Sequence, residues 1–267
     1  MIFRTPLPFR EALDSREVRS ILPTEFRTRL LAEIPAQIRE RAFFSAGVTN
    51  AEFLDRANTA IDDLLSGTVD RATKRLELKQ LLERLDYAPF AGEEDTLTDL
   101  SSDARLNLIL DTNLEMAQGY GHFAQGQDPE ILDQWPAQEL IRVIESEKKR
   151  DWPARWAAAG GEFFGSRMIA LKGDPIWTNI SRFGLPYPPF DFNSGMDVQD
   201  IDRDEAVALG LIARDTQIFP QTRRFNEDLQ ATPQIRSEQL KDALTDVLGD
   251  SAQFDAAGVL RWLGGAT

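Results

Sequence analysis

Two aspartates stand in settings that carboxylate chemistry uses. Asp111-Thr112-Asn113 and Asp215-Thr216-Gln217 share the first two letters of the Asp-Thr-Gly turn with which aspartic hydrolases present two carboxyls around one proton. Such a pair would perform general acid–base hydrolysis at acidic pH, with Asp111 and Asp215 as the catalytic candidates. Both copies lack the glycine, and Asp111 falls inside a helical pattern. Asp200, Asp202 and Asp204 alternate like the first ligands of a calcium loop. Glu205 takes the place of the glycine at the sharp turn, however, and Leu211 that of the bidentate glutamate. Capping and surface charge are therefore expected of these aspartates, and no metal site or cofactor is implied.

The remaining chemistry is narrowed by counting. There is no cysteine, which removes thiolate nucleophiles, disulfides and cysteine-ligated zinc, and the one histidine, His122, sits between glycines near a helix end. No Gly-x-Ser-x-Gly surrounds any serine, so a serine triad has no recognisable elbow. The formal charge of −14 argues against a general nucleic-acid binder. Charge is nevertheless uneven: the window from Arg142 to Arg182 carries eight basic and five acidic residues, a local excess of +3 against −17 elsewhere. Within it, Lys148-Lys149-Arg150-Asp151-Trp152-Pro153-Ala154-Arg155-Trp156 combines cations with tryptophans. Lys148, Lys149, Arg150 and Arg155 are the candidates for contact with an anion, while the tryptophans of the same stretch suit a turn anchored on a sheet.

These side chains must be positioned by recognisable elements. Composition, 42% hydrophobic and 28% charged over 267 residues, is that of a globular chain able to bury a core. Residues 9–90 read as helical: a run through Phe26, Leu30, Leu31 and Ile34 broken at Pro35, a second from Thr49 or Asn50 to Ser66 with Gly67 after it, and a third from Val69 to Leu85. The polar stretch 91–99 reads as an exposed loop. A helix over 101–126, capped by Ser101 or Ser102, buries Leu106, Ile109, Leu110, Ala117 and Tyr120. Asn113 lies in the middle of that stripe and is expected to tie the helix to a neighbouring loop or a ligand.

After Pro136 the texture turns to strands, at 139–146, 167–174 and 196–201, followed by a short helix over 202–210 whose Asp202 and Glu205 have capping-box spacing. Two further helices, about 236–248 and 253–263, are expected in the tail. The fold class is α+β: a helical N-terminal region over 1–95, a small antiparallel or mixed sheet with flanking helices over 96–215, and a helical tail over 216–267. No apolar run reaches bilayer length, so no membrane partner is expected. The start, MIFRTPLPFREAL, interrupts with prolines and charges the apolar stretch that a secretory signal needs, which places the protein in the cytoplasm or in a particle assembled there.

One order of motifs resembles a known family. RLNLILDTNLEMAQGYGHF looks like the helix that opens the head morphogenesis domain of phage Mu F-like minor head proteins, with Asn113 in its Thr-Asn pair. Downstream, Asp174-Pro175-Ile176-Trp177, the Pro188-Pro189 turn, the stretch from Asn193 to Met196 and the helix from Arg203 to Leu209 follow in that family's order. The likeness covers most of residues 6–212. It implies a minor head protein of a prophage type, working by contacts with portal or capsid proteins in a phage particle, with DNA as a further partner against which the net charge weighs. The family commonly has two cysteines after the asparagine. Ser194 and Met196 stand there in this chain, so no metal or redox role carries over to those positions. In PYPPFDFNSG (186–195) the prolines suit a rigid extended wedge. Tyr187, Phe190 and Phe192 are expected to pack beside Trp177, and Asn193 to fasten the turn through its side chain.

Overall fold

The computed structural model describes residues 10–17, 20–21, 42–43, 45, 48–145, 150–221, 230–231, 238–248, 252–254 and 260–262. It is an α+β protein of two compact units, one comprising Met1–Leu114 with Arg224–Thr267 and the other Glu115–Arg223. The division falls inside a long helix, and the tail groups with the N-terminal helices.

The first unit is built from capped amphipathic helices. Its elements are α1 (Arg10–Glu17), β1 (Ser20–Ile21), β2 (Ala42–Phe43), α2 (Ala51–Leu65), α3 (Arg71–Arg84) and the first half of α4 (Asp103–Gly126). Asn50 caps α2 by accepting the Phe53 amide at 2.9 Å, and the helix buries Phe53, Leu54, Ala57, Ala60, Ile61 and Leu65 along one stripe. Asp70 caps α3 by accepting the Thr73 amide at 3.0 Å; Leu78, Leu81 and Leu82 face inward, and the buried Lys74 ammonium reaches Asp63 and Glu77. Of the two serines before α4 the cap is Ser102, whose Oγ accepts the Arg105 amide. The helical run expected around residues 26–34 lies outside the described residues.

Two expectations for this unit are corrected. The acidic loop over 91–99 is not wholly exposed, because Asp99 is buried at its end. There it accepts the Asp95 amide, the Ser101 amide and the Ser101 hydroxyl at 2.6–2.9 Å. The tail holds one of the two expected helices, α9 (Glu238–Leu248), while strands occupy the place of the second. β7 (Gln230–Ala231), β8 (Ala252–Phe254) and β9 (Leu260–Trp262) pair in the order β7-β9-β8, with Phe254 opposite Leu260. Gly258 interrupts the helical pattern of the sequence, and Trp262 suits a paired strand.

The second unit surrounds a four-stranded antiparallel sheet. Along the chain it comprises the end of α4, α5 (Pro129–Gln134), β3 (Ala137–Arg142), α6 (Trp152–Ala158), β4 (Phe163–Phe164), β5 (Arg167–Leu171), α7 (Ile176–Ile180), β6 (Met196–Ile201) and α8 (Arg203–Ala208). Strand order is β4-β5-β3-β6, so β3 is central, with Glu139 opposite Ile169 on one side and Gln199 on the other. The first strand ends sooner than its β-branched residues suggest, because Val143 and Ile144 turn their amides to the carbonyl of Gly195 instead of a ladder. The Trp152–Trp156 stretch is a helix capped by Asp151, not a bare turn, and both indoles lie in the core. Asp202 caps α8 by accepting the Glu205 amide, while the Glu205 carboxylate takes Arg167. Among the described residues no helix is long and apolar enough to cross a membrane.

One close approach fixes where α4 meets the sheet layer. At Gly119 an added Cβ would collide with the backbone carbonyl of Pro188, and the aromatic rings of Tyr120 and Phe123 flank Tyr187 at 5.7 Å. Because the obstacle is backbone, Gly119→Ala should lower stability by about 1–3 kcal/mol in urea unfolding, despite alanine's better helix propensity. A second expectation concerns acid. Burial opposes charge on Asp99, yet the Ser101 and Asp95 bonds hold its carboxyl below the ordinary value of 3.8. A depressed folded value means stabilisation that is complete above the ordinary range and lost as pH falls through the folded value. Asp99→Asn should therefore flatten the acid limb of a stability–pH curve below about pH 4, read by thermal melts.

Candidate functional site

The loop 186–195 is set by its own residues. Its prolines remove backbone donors, the Pro188–Pro189 bond is cis, and Phe190 and Asn193 hold left-handed φ values of 58° and 46°. A phenylalanine in that region is strained, and it is held by fixed partners. Its ring is fully buried and stacks on Trp177 with centroids 6.0 Å apart, while Trp177 meets Trp156 edge-on at 5.3 Å. The Trp177 Nε1 donates to the Leu171 carbonyl at 2.8 Å, so the indole buries no unpaired donor. The other two rings go elsewhere than expected: Tyr187 packs on Tyr120 and Phe123, and Phe192 meets Phe183 at 4.9 Å.

The fastening side chain is Ser194, not Asn193. The Ser194 hydroxyl donates to the Pro189 carbonyl and accepts the Met196 amide at 3.1 Å. Asn193 is exposed and offers its carbonyl to Arg150. The short Ser194 side chain, with its hydroxyl on Cβ, reaches both backbone groups and closes this turn.

Between Phe190 and Phe192 the loop presents Asp191, a carboxylate whose side chain is 7% exposed. Three arginines converge on it. Arg155 Nη1 donates to Oδ2 at 2.9 Å, Arg150 Nε approaches the same oxygen at 3.3 Å, and Arg182 Nη1 lies 3.6 Å from Oδ1. Arg150 also donates to the carbonyls of Phe192 at 2.7 Å and Asn193, and Arg142 reaches the Ser194 carbonyl. The Arg155 guanidinium lies 4.8 Å above the Trp152 ring and that of Arg182 lies 5.4 Å from the Phe192 ring. Among the described residues, the carboxylate that each of the three meets is that of Asp191. Among the described residues, three guanidiniums thus face the one carboxylate of Asp191.

The sequence candidates are distributed as follows. Trp177, Pro188 and Pro189 are buried parts of this loop and its support, and Arg150 and Arg155 belong to the arginine cluster. Lys148 and Lys149 lie outside the described residues. The Asn113 amide donates to the Ile109 carbonyl one turn back in the same helix at 2.8 Å, an intrahelical bond open to short polar side chains. Asp111 receives Arg71 Nη1 at 2.6 Å and belongs to the first unit, whereas Asp215 is exposed in the second. His122 is exposed on α4. Asp200 pairs with Lys172, Asp202 caps α8 and Asp204 meets Arg214, and no metal-holding group occurs among the described residues.

Asp191 and Arg182 were missed from sequence. The available signal was a single charge inside PYPPFDFNSG, since a carboxylate flanked by rings demands a cationic partner. Compared with known proteins, the chain matches no family model, no curated protein and no solved structure.

The two aspartates differ in what they hold. Asp191→Asn removes the charged acceptor of the Arg155 bond at a buried position while the three guanidiniums stay partly exposed, and should cost about 1.5–3 kcal/mol in urea unfolding. Asp111→Asn removes a partly exposed pair with Arg71 and should cost at most about 1 kcal/mol by the same measurement.

Proposed function

We propose that this chain is a minor head protein of a phage or prophage, acting through protein contacts in head assembly or DNA packaging. The carrying observation is that three of the segments in the family-like order share one core, while the helix from Arg203 to Leu209 packs in a second one through Ala206. Trp177 from Asp-Pro-Ile-Trp, Phe190 from the proline turn and Met196 from the strand after Asn193 are buried in the same cluster. Residues spaced along the sequence in a characteristic order are therefore mutually dependent in packing, which is what shared ancestry of a fold would preserve.

The same residues support a contact role over a chemical one. The motif residues Trp177, Pro188, Pro189 and Ser194 are buried and spent on packing or on closing the turn. The alternative of a carboxylate-dependent hydrolase draws no support from Asp111, whose carboxylate is taken by Arg71.

The test is co-assembly. Co-expressed with the portal and capsid proteins from its own genomic neighbourhood, the chain should co-sediment with portal complexes or heads. Absence from both, in preparations where portal and capsid assemble normally, would overturn the proposal.

A further inference from the structure

We propose that Arg150, Arg155 and Arg182, held in place by Asp191, form a binding site for a phosphate monoester. The site belongs wholly to the second unit and does not depend on the head-protein assignment.

The first ground is charge. A buried carboxylate needs a cationic partner, and Arg155 at 2.9 Å already satisfies it with a charge-assisted hydrogen bond. Arg150 and Arg182 stand at 3.3 and 3.6 Å from the same group, distances of attraction more than of close bonding. Counting the three arginines against Asp191 among the described residues, two positive charges are left over, and a phosphate monoester in its dianionic form matches that excess.

The second ground is accessibility joined to order. The carboxylate is 7% exposed, whereas the side chains of Arg150, Arg155 and Arg182 are 32%, 29% and 48% exposed. The anchor is inside and the donors lead outward. Each guanidinium is also pinned from a second direction: Arg150 by the Phe192 and Asn193 carbonyls, Arg155 by the Trp152 ring, and Arg182 by the Phe192 ring. The Arg182 amide donates to the Phe190 carbonyl at 2.7 Å, which ties its backbone to the same loop. A guanidinium carries five N–H donors in a planar fork, so Arg155 with one bond to Asp191, and Arg182 with a contact at 3.6 Å, keep most of their donors for a tetrahedral oxyanion. Little ordering remains to be done when the anion arrives.

The third ground is strain. Left-handed backbone at Phe190 and Asn193 brackets Asp191, and Gly195, with φ of 63°, sits where a Cβ would collide with the Ile144 carbonyl. A loop that bends against its preferences to bury one charge among rings, and then collects more cations than that charge needs, has the form of a prepared anion site. The surrounding charge sets the ligand's size. A chain with net −14 repels a long polyanion, whereas a single phosphate group needs only the local excess.

The experiment uses the full chain at low salt and isothermal titration with three probes: inorganic phosphate, a short 5′-phosphorylated oligonucleotide and its unphosphorylated twin. Saturable binding of the first two and none of the third is expected, that of the phosphorylated oligonucleotide strengthening as pH rises through the second ionisation of its 5′-phosphate near about 6. Arg182→Gln, at the most exposed of the three, should keep the thermal melt of the parent and weaken phosphate binding about tenfold or more. Arg155→Gln should weaken it as well, but its bond to buried Asp191 makes Arg182→Gln the deciding variant. Equal binding of the two oligonucleotides, binding of an acidic peptide in preference to phosphate, no saturable binding, or unchanged affinity in folded Arg182→Gln would each overturn the proposal.

Discussion

A buried carboxylate must find positive charge, and much of the second unit follows from how Asp191 finds it. The guanidiniums come from three places: the segment before α6, α6 itself, and the turn after α7. One buried charge therefore ties three stretches of chain to the loop that bears it. The attraction is strong because water is largely excluded from the carboxylate, and it would be worth little at an open surface. Left-handed backbone at Phe190 and Asn193 persists because Trp177 packing, the Ser194 bonds and the arginine contacts together leave the loop no cheaper path.

The two units are stabilised by different means. In the first, short-range devices dominate: Asn50, Asp70 and Ser102 each satisfy an amide at a helix start, and apolar stripes at helical spacing do the rest. Its cross-helix ion pairs, Arg71 with Asp111 and Lys79 with Asp103, are partly exposed and add specificity more than energy. In the second, the core is aromatic and assembled from residues far apart in sequence. Trp156, Trp177 and Phe190 meet there, and each indole of that group donates its N–H to a carbonyl, at Glu162 and Leu171. Gly119 lets α4 approach Pro188 closely enough to close that side.

The division of labour within the second unit bears on function. Trp177, Phe190 and Met196 hold the core, whereas the positive charge is carried by arginines that lie beside them and touch the same loop through its carbonyls. A scaffold whose inner residues are fully engaged leaves recognition to its rim. Contact with partners, as proposed for a head protein, and capture of a small anion would then draw on separate parts of the same loop.

Sequence by itself determined the local elements. Caps, stop glycines and apolar spacing marked α2, α3, α4 and α8 nearly to the residue, and β-branched runs marked β5 and β6, because those signals act within a few positions along the chain. The excess of cations between Arg142 and Arg182 was visible as composition. Tertiary structure alone decided what those cations meet. Asp191 lies nine residues beyond the window's edge at Arg182 and about forty beyond Arg150, and nothing local distinguishes a carboxylate that will be buried from one that will cap a helix. Equally, Asn113 turned to its own helix, Ser194 displaced Asn193 as the fastener, and the second tail helix gave way to β8 and β9. In each case a side chain or backbone had several local bonds of similar worth. The partners taken are themselves near in sequence, so spacing alone did not single them out, and the choice among them fell to the packed fold.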